Sequence, residues 1–353
     1  MSSVGRPARA LFSCRPPALW DKRTQSVGLG HTAACQIQCS RTLSIGTCLT
    51  QGPRVSLGQE GSEAGNRPKV TLTTLRKLWR EKKPMTMLTA YDYPTGLIVD
   101  RAGMDMCLVG DSLGMVCLGY DSTTSVTMED MIHHCRATSR GVKKAFLVGG
   151  GGFGAYHATT EQAIRNACRG GGEGNVESIK LEGGRVFKGG GAALTGAGIP
   201  VMGHLGLTPQ SQAALGGYRV QGKTAARAMH LLEDALALQD AGCWSIVLEA
   251  IPAPVAKAVT NRLHIPTIGI GAGQECSGQV LVSMDMLGIF DKFLPRFCKQ
   301  YAQLSVEMRR AVEQYGREVS AGTFPGPEHC YPMPPKEEEA FQEALIQWDQ
   351  RQV

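Results

Sequence analysis

AFLVGGGGFGAYHATTEQA, Ala145 to Ala163, decides the fold. Ala145–Val148 is an apolar run of the kind that fills a strand buried on both faces. Thr159, three residues before Gln162, offers a capping box that opens a helix. Strand, loop and helix make one α/β unit. Its loop holds four consecutive glycines, Gly149–Gly152, where other loops of the chain carry acids.

The same unit recurs along the chain. Eight apolar runs follow Lys69, at 85–92, 105–112, 145–152, 176–184, 199–208, 244–252, 265–273 and 279–288. Each is too short for a helix and is bounded by Gly, Pro or Asp. The segments between them predict helices over Thr127–Arg140, Thr159–Arg169, Lys223–Asp240 and Ala253–Leu263. Eight strands alternating with helices predict an α/β fold, a (β/α)8 TIM barrel spanning 69–333; a doubly wound open sheet is the second reading. Two glycine-rich stretches, 169–174 and 185–198, fall where helices belong. Each central glycine costs roughly 1 kcal/mol against alanine, so both helices are expected to fray or shorten. A tail, 334–353, holds one amphipathic helical stretch, 336–350, read as a solvated appendage.

Composition narrows the function classes. Of 44 glycines in 353 residues, 16 lie between Gly149 and Gly198, so the excess is local. The net charge of +6 sits in residues 1–57, with seven basic side chains against Asp21; the remainder is balanced, 30 against 30. That balance gives no footing for nucleic acid. No run reaches the roughly 18 apolar residues that a membrane helix needs. The basic, acid-poor 1–57 reads as a transit peptide to the mitochondrial matrix. Twelve cysteines with no CxxC pair argue for reduced, buried thiols rather than disulfides or zinc.

In a barrel of this type the chemistry sits where strands end. The runs end in Tyr91-Asp92, Asp111-Ser112, Glu182 with Lys180 inside the strand, His204, Glu249 and the all-small Gly269–Gly273. Carboxylates converging on one face suit a hard divalent cation; Mg²⁺ takes one or two of them and completes its shell with water and substrate oxygens. Asp111 and Glu182 are the candidate ligands, though a lone buried acid also serves as a structural acceptor. Glu249, after an apolar run, is a candidate base whose pKa an apolar surround would raise, or else an acid satisfied by backbone amides. Lys180 can hold a substrate carboxylate or pair with Glu182 or Asp111. His204 can donate to substrate or serve structurally, as many strand-end histidines do. Gly269–Gly273 reads as a close backbone approach rather than a phosphate cradle, since no basic residue follows it.

LTAYDYPTG, LVGDSLGM, KLEGG, GHLGLTPQ, GGYRVQGK, LEAIP, PTIGIGAG, SGQVLV and FPGPEHCYP occur in this order. Together they resemble the ketopantoate hydroxymethyltransferase family in its eukaryotic mitochondrial form, from about Val70 to Tyr331. The resemblance implies a barrel related to the phosphoenolpyruvate/pyruvate-type superfamily. It implies transfer of a one-carbon unit from 5,10-methylenetetrahydrofolate to 3-methyl-2-oxobutanoate, giving 2-dehydropantoate by way of a Mg²⁺-stabilised enolate. It implies a homo-oligomer, usually a decamer, with no nucleic-acid or membrane partner. Residue by residue, it makes Asp111 and Glu182 part of the metal site. Asp111, Ser112, Lys180 and His204 then belong to the substrate pocket, and Glu249 is the general base.

The glycine loop departs from that pattern. Gly150 stands where the family carries a metal-binding aspartate, and Gly152 where it carries proline. Three readings follow. Water completes the coordination shell; or the barrel is catalytically impaired and kept as an assembly subunit; or the glycine runs are not those of the native transcript.

Overall fold

Eight short strands pair in parallel, each with its successor in sequence, and the eighth pairs with the first to close a barrel. A computed structural model describes residues 67–352 of the chain. The strands are β1 Met85–Thr89, β2 Met106–Val109, β3 Phe146–Gly150, β4 Ser178–Glu182, β5 Val201–Gly206, β6 Ser245–Glu249, β7 Thr267–Ile270 and β8 Gly278–Leu281. All eight predicted runs form strands, each shorter than its apolar run because the ends turn into loops. The open-sheet reading is thereby set aside. The transit-peptide reading of 1–57 falls outside the described residues.

Two cores follow from strand alternation. Inward side chains, among them Met85, Met87, Met106, Phe146, Val148 and Met202, fill the barrel. Outward ones, such as Cys107, Leu147, Ile179 and Leu181, pack under the helices. β2, β3 and β4 are buried along their whole length. A first helix, α1 Leu72–Arg80, adds Leu75 to the inner core.

Around the barrel lie α2 Tyr93–Arg101, α3 Met128–Gly141, α4 Thr160–Gly172, α5 Lys188–Gly196, α6 Ala225–Asp240 and α7 Ala253–Thr260. Thr127 closes a full capping box with Asp130 at the start of α3. Thr159 caps α4 through the Gln162 amide, but the Gln162 side chain accepts from Ala158 instead, so its box is only half made.

Three expectations need correction. The helix expected to fray in 169–174 instead runs on to Gly172, whereas the one in 185–198 is short, nine residues after a 3-10 turn at Arg185–Phe187. Packing outweighs propensity there: a Cβ on Gly170 would lie 2.7 Å from Ile179 Cδ1, and one on Gly190 2.8 Å from the Phe187 ring. Second, no helix separates β7 from β8, which are joined by 271–277 alone. Third, the described cysteines are all free, but only five are buried; Cys117, Cys168 and Cys330 are exposed.

After β8 come a single turn, Ser283–Met286, then α8 Leu304–Ser320 and α9 Pro335–Gln350, neither with a buried residue. The tail helix forms as predicted. Among the described residues no helix is long and apolar enough to cross a membrane.

Candidate active site

The charged residues meet because of register. On β4, Ser178, Lys180 and Glu182 alternate inward. Glu182 pairs with His204 of β5, and Gly206 pairs with Glu249 of β6. Three adjacent strands therefore place Lys180, Glu182, His204 and Glu249 at one end of the barrel. Asp111 joins them from the turn after β2. Asp111, Lys180, Glu182 and His204 are all buried.

Lys180 Nζ stands 3.7 Å from Asp111 Oδ1 and 3.6 Å from Glu182 Oε1. His204 is bracketed: Nδ1 is 3.2 Å from Glu182 Oε1, and Nε2 is 3.2 Å from Glu249 Oε2. Both His204 contacts are ion pairs without hydrogen-bond geometry. Glu182 Oε1 and both His204 nitrogens are thus buried with no hydrogen-bond partner. Three orphaned polar atoms in one place mark a site built for something other than itself.

Burial dominates at Asp111 and holds its carboxyl above the ordinary aspartate range, against the pull of Lys180. At Glu182 burial pushes the same way, but His204 and Lys180 together hold the carboxyl below its usual range. Burial and Lys180 disfavour charge on His204, yet Glu182 and Glu249 hold the imidazole above its ordinary value. Burial likewise disfavours the Lys180 ammonium, which Asp111 and Glu182 restore. Glu249, followed by the buried Ala250 and Ile251, has His204 as its charged partner.

Of two further strand-end residues, one joins the cavity and one does not. Asp92 is no part of the ring: it caps α2, accepting from the Thr95 amide at 2.8 Å. Ser112 does line the cavity, with its Oγ 2.8 Å from the Tyr91 hydroxyl. At Gly271 the expected close approach occurs, with φ +63° and a Cβ position 2.6 Å from the Phe297 ring.

Sequence reasoning missed Gln210, in the turn after β5. Its Nε2 donates to Asp111 Oδ2 at 2.7 Å and to the Gly151 carbonyl at 2.9 Å. Its backbone N–H donates to Glu182 Oε2 at 3.1 Å, and its Oε1 accepts from the Tyr156 hydroxyl at 2.9 Å. Gln210 thus spans both carboxylates. The available signal was its place: it follows a strand end, inside GHLGLTPQ.

Gly150 pairs with Lys180 across β3 and β4. A Cβ there would lie 3.4 Å from Met131 Cε and 3.6 Å from the Asp111 amide nitrogen, so a side chain is sterically admissible beside Asp111. Gly152 differs, because its Cβ would lie 2.8 Å from the Val126 carbonyl oxygen.

Among the described residues no three metal-type side chains cluster. The fit to Mg²⁺ rests on two carboxylates, Asp111 and Glu182, and on the orphaned Glu182 Oε1. That donor set matches a cation that takes one or two carboxylates and leaves the rest of its octahedron to water and substrate. The charged floor opens into a cavity of about 620 Å³ walled by Met115, Leu207, Ile270, Phe290 and Phe297.

The family model for ketopantoate hydroxymethyltransferase matches residues 69–327. A protein of Oleidesulfovibrio alaskensis named 3-methyl-2-oxobutanoate hydroxymethyltransferase is 54% identical over 264 residues, covering 75% of this chain and 91% of its own. A namesake in Emericella nidulans is 50% identical over 286 residues, 80% of this chain and 82% of its own. In Oryza sativa subsp. japonica, a 3-methyl-2-oxobutanoate hydroxymethyltransferase 2, mitochondrial, is 53% identical over 283 residues, 78% of this chain and 71% of its own. Among solved structures, 2,3-dimethylmalate lyase of the PEP mutase/isocitrate lyase superfamily aligns with TM-score 0.50 at 17% identity. That alignment covers 81% of this chain and all of the other, and it supports the fold alone. The chain belongs to the ketopantoate hydroxymethyltransferase family.

Proposed function

We propose that this member of the family transfers a hydroxymethyl group from 5,10-methylenetetrahydrofolate to 3-methyl-2-oxobutanoate, giving 2-dehydropantoate for pantothenate synthesis. One water molecule supplies the hydroxyl oxygen, and tetrahydrofolate leaves. The observation that carries this reading is the charge balance of the floor. Fully ionised, Asp111, Glu182 and Glu249 against Lys180 and His204 leave −1. A divalent cation and a monoanionic 2-oxo acid bring the sum to zero.

Asp111 and Glu182 would hold Mg²⁺, with Gln210 positioning both carboxylates. Bound there, Mg²⁺ supplies Lewis-acid polarisation of the 2-oxo acid. The chain's own residues do the rest. Lys180 neutralises the substrate carboxylate. Ser112, oriented by Tyr91, hydrogen-bonds the substrate. Glu249 takes the C3 proton; His204 holds its Oε2, leaving Oε1 without a hydrogen bond or ion pair among the described residues. Water releases the one-carbon unit from the folate at the formaldehyde level, freeing tetrahydrofolate. The C3 carbanion, delocalised as the enolate, attacks that carbon, and the formaldehyde oxygen takes a proton to become the product hydroxyl.

The proton step can be read alone. In D₂O with Mg²⁺ and no folate, the protein is expected to exchange the C3 proton of 3-methyl-2-oxobutanoate for deuterium, followed by NMR. Absence of exchange in the native protein refutes the reading.

A second reading has its own observation. Gly150 leaves β3 without a carboxylate, as a barrel kept only as an assembly subunit would have it. Calorimetry separates the two: saturable Mg²⁺ binding in the presence of the 2-oxo acid is expected of the enzyme and not of the subunit. A homo-oligomer, usually a decamer in this family, is proposed too, supported by the exposed apolar side chains Val306, Val312, Tyr315 and Val319 on α8. A matrix location is proposed from the basic leader and from the name of the rice relative.

A further inference from the structure

The cavity is larger than a five-carbon 2-oxo acid fills, and its second half holds one acid with no assigned partner. Asp285 lies in the turn Ser283–Met286 after β8, is 7% exposed and lines this cavity. Its carboxylate makes no hydrogen bond or ion pair with any described residue. Burial pushes the carboxyl up to about 6. At Asp285 itself only the backbone is engaged: its carbonyl accepts from Gln300 Nε2 and from the Gly288 amide. The fold therefore gives the side chain nothing to do.

A buried carboxylate costs free energy unless it is paired and hydrogen-bonded. The walls beside it specify what pairs with it. Phe290, Phe293, Pro295 and Phe297 present apolar and aromatic faces from the segment after the turn. Phe293 is 60% exposed and Phe297 37%, so both rings border open space. A ligand suited to this half is a flat heterocycle with two adjacent N–H donors on one edge. Its face packs on phenylalanine rings, and its edge meets both carboxylate oxygens.

We infer that Asp285 recognises the 2-amino-4-oxopyrimidine edge of the reduced pterin of the folate co-substrate, with N3–H and the 2-amino group donating to its two oxygens. The inference rests on the proposed function, which makes a tetrahydrofolate the second ligand of this cavity. It also orients that ligand. The pterin edge points to β8, and its methylene-bearing side faces Glu249 and Lys180 across the cavity. At the rim, the exposed Arg219 and Arg296 make no side-chain ion pair with any described residue, and they suit the carboxylates of the glutamyl tail.

Two readouts keep this inference separate from the function. Tetrahydrofolate binding to the full chain is measured by calorimetry for the native protein, Asp285→Asn and Asp285→Ala. C3 deuterium exchange of the 2-oxo acid, without folate, is measured on the same samples. Losing a charge-assisted pair predicts tetrahydrofolate affinity lower by roughly 10–100-fold in both variants, with exchange within twofold of native. Retained exchange also shows that the variants fold. Tetrahydrofolate affinity unchanged in both variants, or absent from the native protein, overturns the inference. If no protein exchanges the C3 proton but the native chain alone binds tetrahydrofolate, the proposed reaction fails while the assignment of Asp285 stands.

Discussion

β3 and β4 run side by side, five residues each, buried from end to end and paired at Gly150 and Lys180. β4 delivers an ammonium and a carboxylate to the mouth of the barrel. β3 delivers only backbone. Both strands nevertheless close the barrel equally well, because closure draws on parallel pairing and on inward apolar residues such as Val148. The chemistry draws on the last side chain or two of each strand. Fold and site are thus separable at neighbouring residues, and a strand can lose its chemical role without losing its structural one.

Substitutions on each side of that boundary test it. Lys180→Met removes the ammonium shared by Asp111 and Glu182, leaving the buried Asp111 without a counter-charge and Glu182 with His204 alone. The expected loss is about 3–5 kcal/mol of unfolding free energy by urea titration. A loss below 1 kcal/mol would mean that β4 is as indifferent to its tip as β3.

Gly150→Asp restores a carboxylate opposite Lys180, where the space admits a Cβ. Mg²⁺ affinity is expected to rise on the order of tenfold, since affinity follows ligand charge. Calorimetry showing no change would place the β3 tip outside the metal shell.

Gly152→Ala presses a Cβ onto the Val126–Thr127 backbone, at an expected cost of about 1–3 kcal/mol. Gly150→Ala, two residues earlier, is expected to fall within about 0.5 kcal/mol. Equal effects in thermal unfolding would contradict the distinction between them.

The helical glycines give the smallest effect, with opposite sign. Nothing lies within 4 Å of a Cβ on Gly189, and only the Val176 carbonyl, at 3.8 Å, approaches one on Gly171. Alanine at either is expected to stabilise by about 0.5–1 kcal/mol, read as a raised denaturant midpoint.

Much of this was legible in the sequence. The strands announce themselves as continuous apolar runs because both faces of a barrel strand are covered. Asp111, Lys180, Glu182, His204 and Glu249 were legible because charge at a strand end has few structural uses. Gln210 was not, because it is uncharged and its role comes from reach: one side chain spans Asp111 and Gly151 while its amide holds Glu182. The glycine-bearing helix end at 169–174 was misjudged because propensity is local, whereas Gly170 is held by Ile179 from a different element. Asp285 lay inside an apolar run, and only the folded chain shows it facing a cavity without a partner.

The central claim is that the site works with carboxylates from β2 and β4 and none from β3. The most direct test is 2-dehydropantoate formation by the full chain with Mg²⁺, 3-methyl-2-oxobutanoate and 5,10-methylenetetrahydrofolate, beside Gly150→Asp and Glu249→Gln. The account predicts Mg²⁺-dependent product from the native chain, product at lower Mg²⁺ from Gly150→Asp, and none from Glu249→Gln. Product from Gly150→Asp alone would contradict it, because the missing carboxylate of β3 would then decide whether there is any chemistry at all.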